Sequence, residues 1–148
     1  MKSPLIIGTD LSTLEDELVD VLKNKALLAF SQDKLIGQPA TPYKWGINPD
    51  WTFNYTNPAE YWSGKYGNGD VLVLALNSEL GNNTRTISWK EVPELNEGKL
   101  NGAENGGKEG AYEVTDVWTG RILGCIRGGV ERVLEEHDTF GVVVGGAC

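Results

Sequence analysis

Carboxylates dominate the reactive groups of this chain: 21 Asp and Glu stand against 13 Lys and Arg in 148 residues, with one histidine and two cysteines. Hydrolysis of a glycosidic bond needs two carboxyl groups across the scissile bond, about 5 Å apart for retention and wider for inversion. Asp10 is the best-placed candidate, because it follows the compact apolar run Leu5-Ile6-Ile7, and the end of a buried parallel strand is where α/β barrels present their reactive loops. The competing role for Asp10 is structural, a loop carboxylate that accepts backbone amides ahead of Ser12. Asp33, Asp70, Asp116 and Asp138 all stand beside turns, where aspartate commonly satisfies backbone donors, and none gains a partner from its spacing.

His137-Asp138 has the composition of an oriented base, since a carboxylate can hold one imidazole tautomer. No nucleophile accompanies it, which favours a structural role. A lone histidine also excludes a multi-histidine centre, and Cys125 and Cys148 lack metal-ligand spacing, so no metal and no cofactor is expected. The two cysteines fit a disulfide tying a late strand to the C-terminus and fit two free thiols equally; spacing does not choose.

Trp45, Trp51, Trp62, Trp89 and Trp118, with Tyr61 and Tyr66, supply ring faces for sugar C–H groups or filling for a sheet core. Trp89 and Trp118 sit on alternating segments and are expected in the core. Trp62 and Tyr66, near Asn68-Gly69, are the candidates for carbohydrate binding, together with Asp10. Two Asn-x-Thr triplets, at Asn54 and Asn82, are potential glycan acceptors in turn-rich settings and favour a secreted, extracellular protein.

The net charge of −8 makes a phosphate backbone or an anionic membrane an unfavourable partner. No apolar run approaches the roughly 20 residues that span a bilayer, and Met1-Lys2-Ser3-Pro4 lacks a signal-peptide layout. A soluble chain that begins abruptly is expected.

Leu5-Ile6-Ile7 suits a buried strand, and Ser12-Thr13-Leu14-Glu15 has the form of a capping box opening a helix. Leu14, Leu18, Val21 and Leu22 form one apolar stripe for covering a sheet. Ala26 to Phe30 is ambiguous between helix and strand, and Gly37 to Pro42 breaks periodicity. From about Tyr43 the period becomes two. Strands are predicted at Trp51 to Tyr55, Glu60 to Tyr66, Val71 to Leu76, Thr84 to Lys90, Tyr112 to Trp118, Arg121 to Ile126, Val130 to Leu134 and Thr139 to Val144. Asn68-Gly69 predicts a type I′ hairpin turn. Val71 to Leu76, apolar on both faces, should be central, whereas Glu94 to Gly110 reads as a surface loop. Its glycines lack the flanking strand and helix of a phosphate-binding loop. The expected fold is mainly β: one βα unit, then an antiparallel Greek-key β-sandwich of about eight strands.

Taken in order, Lys2-Ser3-Pro4-Leu5-Ile6-Ile7-Gly8-Thr9-Asp10-Leu11, Leu22-Lys23-Asn24-Lys25 and Ser31-Gln32-Asp33 resemble glycoside hydrolase family 27, the α-galactosidases and their relatives. The resemblance continues through Asn68-Gly69-Asp70, Val71 to Asn77, Thr86-Ile87-Ser88-Trp89, Tyr112 to Gly120 and His137-Asp138, and so covers nearly the whole chain. It implies that residues 1–37 are the last strand and helix of a (β/α)8 barrel and that residues 38–148 are the C-terminal β-sandwich. It also places the nucleophile and acid/base aspartates on earlier barrel strands, so no catalytic residue carries over. Lys34 replaces the proline that usually follows the family's Gln-Asp, and the Glu94 to Gly110 loop is expanded.

The implied function is that of a C-terminal fragment of a secreted, fungal-type, retaining α-galactosidase, whose parent hydrolyses terminal α-galactosides without a cofactor. The isolated chain is then inactive, and its partners are α-galactoside carbohydrate and the remainder of the parent barrel. The rival is a stand-alone, lectin-like galactoside-binding β-domain, and a third alternative is a purely structural domain. The open edges of Leu5 to Ile7 also invite pairing with a second copy, giving a homodimer, or docking onto the sandwich.

Overall fold

Strand β3 (Val71–Leu76) organises the molecule, because its residues are apolar on both faces and each face meets a different layer. The computed structural model describes residues 10, 12–36, 38–45, 59–97 and 110–148. Within them lie seven further strands: β1 (Thr41–Trp45), β2 (Ala59–Lys65), β4 (Asn83–Ser88), β5 (Ala111–Asp116), β6 (Ile122–Arg127), β7 (Gly129–Leu134) and β8 (Thr139–Ala147). Six strands form one sheet in the order β1-β2-β3-β8-β5-β6, while β4 and β7 form a two-stranded sheet. All pairings are antiparallel.

Val71, Val73 and Ala75 of β3 join Val114, Phe140, Val142 and Val144 in the core beneath Ile87, Trp89 and Leu134 of the smaller sheet's side. Leu72 and Leu74 face the opposite way, toward Phe30 and Tyr66. Each fully buried Val or Leu contributes roughly 1.5–3 kcal/mol, so a strand buried on both sides holds three layers together. The third layer is helical. Of α1 (Asp16–Leu22) and α2 (Lys25–Ser31), only α2 buries a side chain, Phe30.

Phe30 reaches the sheet because residue 64 is glycine: a Cβ there would lie 2.6 Å from Phe30 Cζ and 3.1 Å from Ala40 Cα. Asn24 caps α2, its Oδ1 accepting the Leu27 N–H at 3.1 Å. The capping box expected for α1 does not form. Asp10 Oδ1 takes both the amide and the hydroxyl of Ser12, and α1 begins after Glu15 without a side-chain cap. The short stretch Ala26 to Phe30 is helical, and Leu5 to Ile7 lies outside the described residues.

The Asn68-Gly69 hairpin joins β2 to β3, but its turn differs from the expected type I′. Gly69 N–H donates to Tyr66 O at 3.1 Å and Tyr66 N–H donates to Asp70 O at 2.8 Å, while positive φ occurs at Gly69 and not at Asn68. The three-residue loop Gly67 to Gly69 thus makes a type I turn closed by a left-handed glycine, which needs one unusual residue instead of two. The predicted strand Trp51 to Tyr55 falls outside the described residues. Strand β1 was not expected at Thr41 to Trp45; as an edge strand it tolerates Pro42 and buries only Tyr43. The start of the expected Glu94 loop is helical instead: α3 (Pro93–Asn96) opens on proline, a favoured first residue, and packs Leu95 against the core.

Between β6 and β7 the chain changes sheet at Gly128-Gly129. A Cβ on Gly129 would lie 2.3 Å from the Ile87 carbonyl oxygen. Only glycine lets β7 approach β4 this closely.

Candidate functional site

The acidic candidates hold turns. Asp10 is exposed, and its two bonds from Ser12 hold its carboxyl below the ordinary carboxylate value. Asp33 Oδ1 accepts the amides of Leu35 and Ile36, and its Oδ2 accepts the Gly67 amide at 2.5 Å, which joins the end of α2 to the β2–β3 turn. Asp116 Oδ1 accepts the amides of Trp118 and Thr119 and the Thr119 hydroxyl. In the β7–β8 turn, His137 is exposed with φ of 60° and stands 3.4 Å from Glu136, while Asp138 accepts the Thr139 amide.

Tyr66 does not present the expected open face for a sugar. It is buried, its ring meets Phe30 edge-on at 5.2 Å, and its hydroxyl donates to the Ala26 carbonyl at 3.0 Å. Burial pushes its pKa up to about 12, with Asp70 and Asp33 adding to the effect. Trp62 is half-buried, and its indole N–H donates to Ala59 O at 3.0 Å. Trp62, Gly64 and Tyr66 alternate along one face, and it is α2 that reaches this face through Phe30. No described contact brings Asp10 to either ring.

Asn82 is exposed in the β3–β4 connection, as is Thr84 of its triplet, whereas Asn54 lies outside the described residues. Cys125 and Cys148 are joined in a disulfide with a Cα–Cα distance of 6.2 Å. It links β6 to the chain end beside β5. No group of three His, Cys, Asp or Glu among the described residues is arranged to hold a metal ion. No helix among them is long and apolar enough to cross a membrane.

Two features escaped the sequence. The first is a buried polar network where the chain crosses between sheets: Arg85 Nη2 donates to Glu60 Oε1 at 2.7 Å and to Asn77 Oδ1 at 3.0 Å, and Arg85 Nε donates to Leu76 O at 3.0 Å. Asn77 Nδ2 in turn donates to Gly81 O and Glu135 O, each at 2.8 Å. Residue parity was the available signal, since Arg85 shares the inward phase of Ile87 and Trp89. The second is Trp118, expected in the core but 39% exposed, beside a cleft of about 650 Å³ between the α1–α2 junction and the β5–β6 turn. Trp89 takes the core position instead, at 3% exposure, with its indole N–H donating to Ile126 O.

Residues 56–144 match the family described as the alpha galactosidase C-terminal beta sandwich domain. The chain belongs to that family, as a C-terminal portion of the α-galactosidase type in glycoside hydrolase family 27. It is 54% identical, over its full 148 residues, to a probable alpha-galactosidase B of Talaromyces emersonii, covering 32% of that protein. The chain thus spans about a third of the length of the curated relatives it matches. Its fold is shared with alpha-galactosidase I from Mortierella vinacea, at TM-score 0.72 and 22% identity, covering 96% of this chain and 32% of that one. The same holds for the α-galactosidase from Saccharomyces cerevisiae solved with raffinose, at TM-score 0.72 and 16% identity, covering 99% of this chain and 40% of that one.

Proposed function

We propose that this chain is the C-terminal part of a secreted, retaining α-galactosidase that releases terminal α-galactosyl groups, and that its own role is to buttress the catalytic barrel. The observation that carries this is the 54% identity over the full chain to a probable alpha-galactosidase B, of which it covers 32%. Retaining hydrolysis needs a nucleophile and a proton donor in a rigid frame, whereas Asp10, Asp33, Asp116 and Asp138 here accept bonds that shape turns. The catalytic carboxyl pair then belongs to the rest of the parent, and residues 1–37 close its barrel. Exposed Asn82, with Thr84 two residues on, supports glycan attachment during secretion.

A chimera tests this directly. The C-terminal third of the Talaromyces relative is replaced by this chain and the protein is expressed in a secretory host. Secretion with α-galactosidase activity close to the parental level, and added hexose mass that disappears with Asn54→Gln and Asn82→Gln, is expected. A folded chimera without activity would refute the assignment.

A further inference from the structure

The structure assigns a second binding site: we propose that the cleft between the α1–α2 junction and the β5–β6 turn is a non-catalytic saccharide subsite with Trp118 as its stacking platform. That its ligand is a galactoside rests on the function proposed above. The cleft, about 650 Å³, has the size of a small-molecule site. Asp20, Lys23 and Lys25 line one wall, and Asp116, Trp118 and Thr119 the other.

Both walls are fixed. Asn24 Nδ2 donates to Val117 O at 2.8 Å and joins the α1–α2 junction to the β5–β6 turn. The Trp118 indole N–H donates to Thr139 O at 2.8 Å and its backbone N–H to Asp116 Oδ1 at 3.0 Å, so the ring is held in place while 39% of the residue stays exposed. A preorganised aromatic face loses little freedom on binding. Gly120 beside it leaves open space, since a Cβ there would meet nothing within 4 Å.

The polar groups around the ring retain bonding capacity. Asp116 receives its three bonds on Oδ1, leaving Oδ2 available. The side chains of Asp20, Lys23 and Lys25 make no hydrogen bond or ion pair among the described residues. Two carboxylates and two ammonium groups nearly cancel, which disfavours a phosphate or a cation. Donors and acceptors around an apolar ring face instead suit a neutral polyol, with C–H groups on the indole and hydroxyls toward the charged groups.

The test is a titration of the ¹⁵N-labelled 148-residue chain with melibiose, and with maltose as control, followed by heteronuclear NMR. Saturable shifts at the Trp118 indole and the amides of Asn24, Thr119 and Gly120 are expected with melibiose. Trp118→Ala should weaken binding about tenfold. Asp20→Ala with Lys23→Ala, two exposed positions that leave the sheet intact, should weaken it several-fold. No saturable shift, or shifts unchanged in both variants, would overturn the subsite while leaving the chimera result standing. An equal response to maltose would overturn the galactoside assignment.

Discussion

Arg85 and Glu60, 25 residues apart in sequence, form a 2.7 Å ion pair with both side chains almost wholly removed from solvent. The pair stands where the chain leaves the six-stranded sheet for the smaller one. Asn77 and the Leu76 carbonyl complete its hydrogen bonding, which is the condition under which a buried ion pair is tolerated.

Removing one partner should therefore be costly. Arg85→Ala is expected to lower unfolding free energy by about 3–5 kcal/mol, because it leaves Glu60 as an uncompensated buried charge. Glu60→Ala should lower it by less, because the partly exposed Glu79 carboxylate remains 3.8 Å from Arg85. Replacing both together, as Glu60→Leu with Arg85→Met, should recover much of that loss. Guanidinium denaturation followed by tryptophan fluorescence measures it, and a loss below about 1 kcal/mol in both single variants would mean that water reaches the site.

Gly64→Ala should detach α2. The new methyl group would crowd Phe30 Cζ and the Ala40 backbone, and overpacking of this kind costs about 1–3 kcal/mol. Thermal melts should show Gly64→Ala less stable than the parent chain, with Phe30→Leu in the same background restoring part of the difference. An unchanged melting temperature for Gly64→Ala would show that α2 does not rest on this face.

Alkaline pH should destabilise the fold through its buried phenols. Burial pushes the Tyr66 pKa up from 10.0 to about 12, and Tyr43 is raised in the same way, chiefly by burial with Glu91 adding to it. The unfolded chain therefore releases these protons at lower pH than the folded one. Stability from this source is fully present below pH 10 and is lost as pH rises toward about 12. Phenolate absorbance should reveal two late-titrating tyrosines in the native chain, and Tyr66→Phe should flatten the alkaline fall in stability. A steeper fall in that variant would contradict this origin.

The core was legible in the sequence where burial obeys simple parity. Val71 to Leu76 is apolar at every position, and it became the strand buried on both faces. Elements fixed by distant partners were harder to see. Ser12 is drawn to Asp10 and away from the helix it seemed to cap. Tyr66 is covered by a helix some 40 residues earlier, so its position beside a hairpin gave no sign of burial. Trp89 and Trp118 carry the same local pattern, yet one fills the core and the other stands over a cleft. Their difference lies in what opposes each strand end, which periodicity does not encode. Parity puts Arg85 in the inward phase of Ile87, but its pairing with Glu60 depends on the crossover between sheets, which no local pattern encodes.

The most direct test of the central claim is hydrolysis of an aryl α-galactoside by the isolated 148-residue chain, in a preparation free of any longer enzyme. A domain that supports a barrel without supplying its paired carboxyl groups should show no turnover above buffer. The chimera with the relative's upstream region provides the positive control. Robust hydrolysis by the isolated chain, abolished by Asp10→Asn, would contradict the account and make Asp10 part of a working active site.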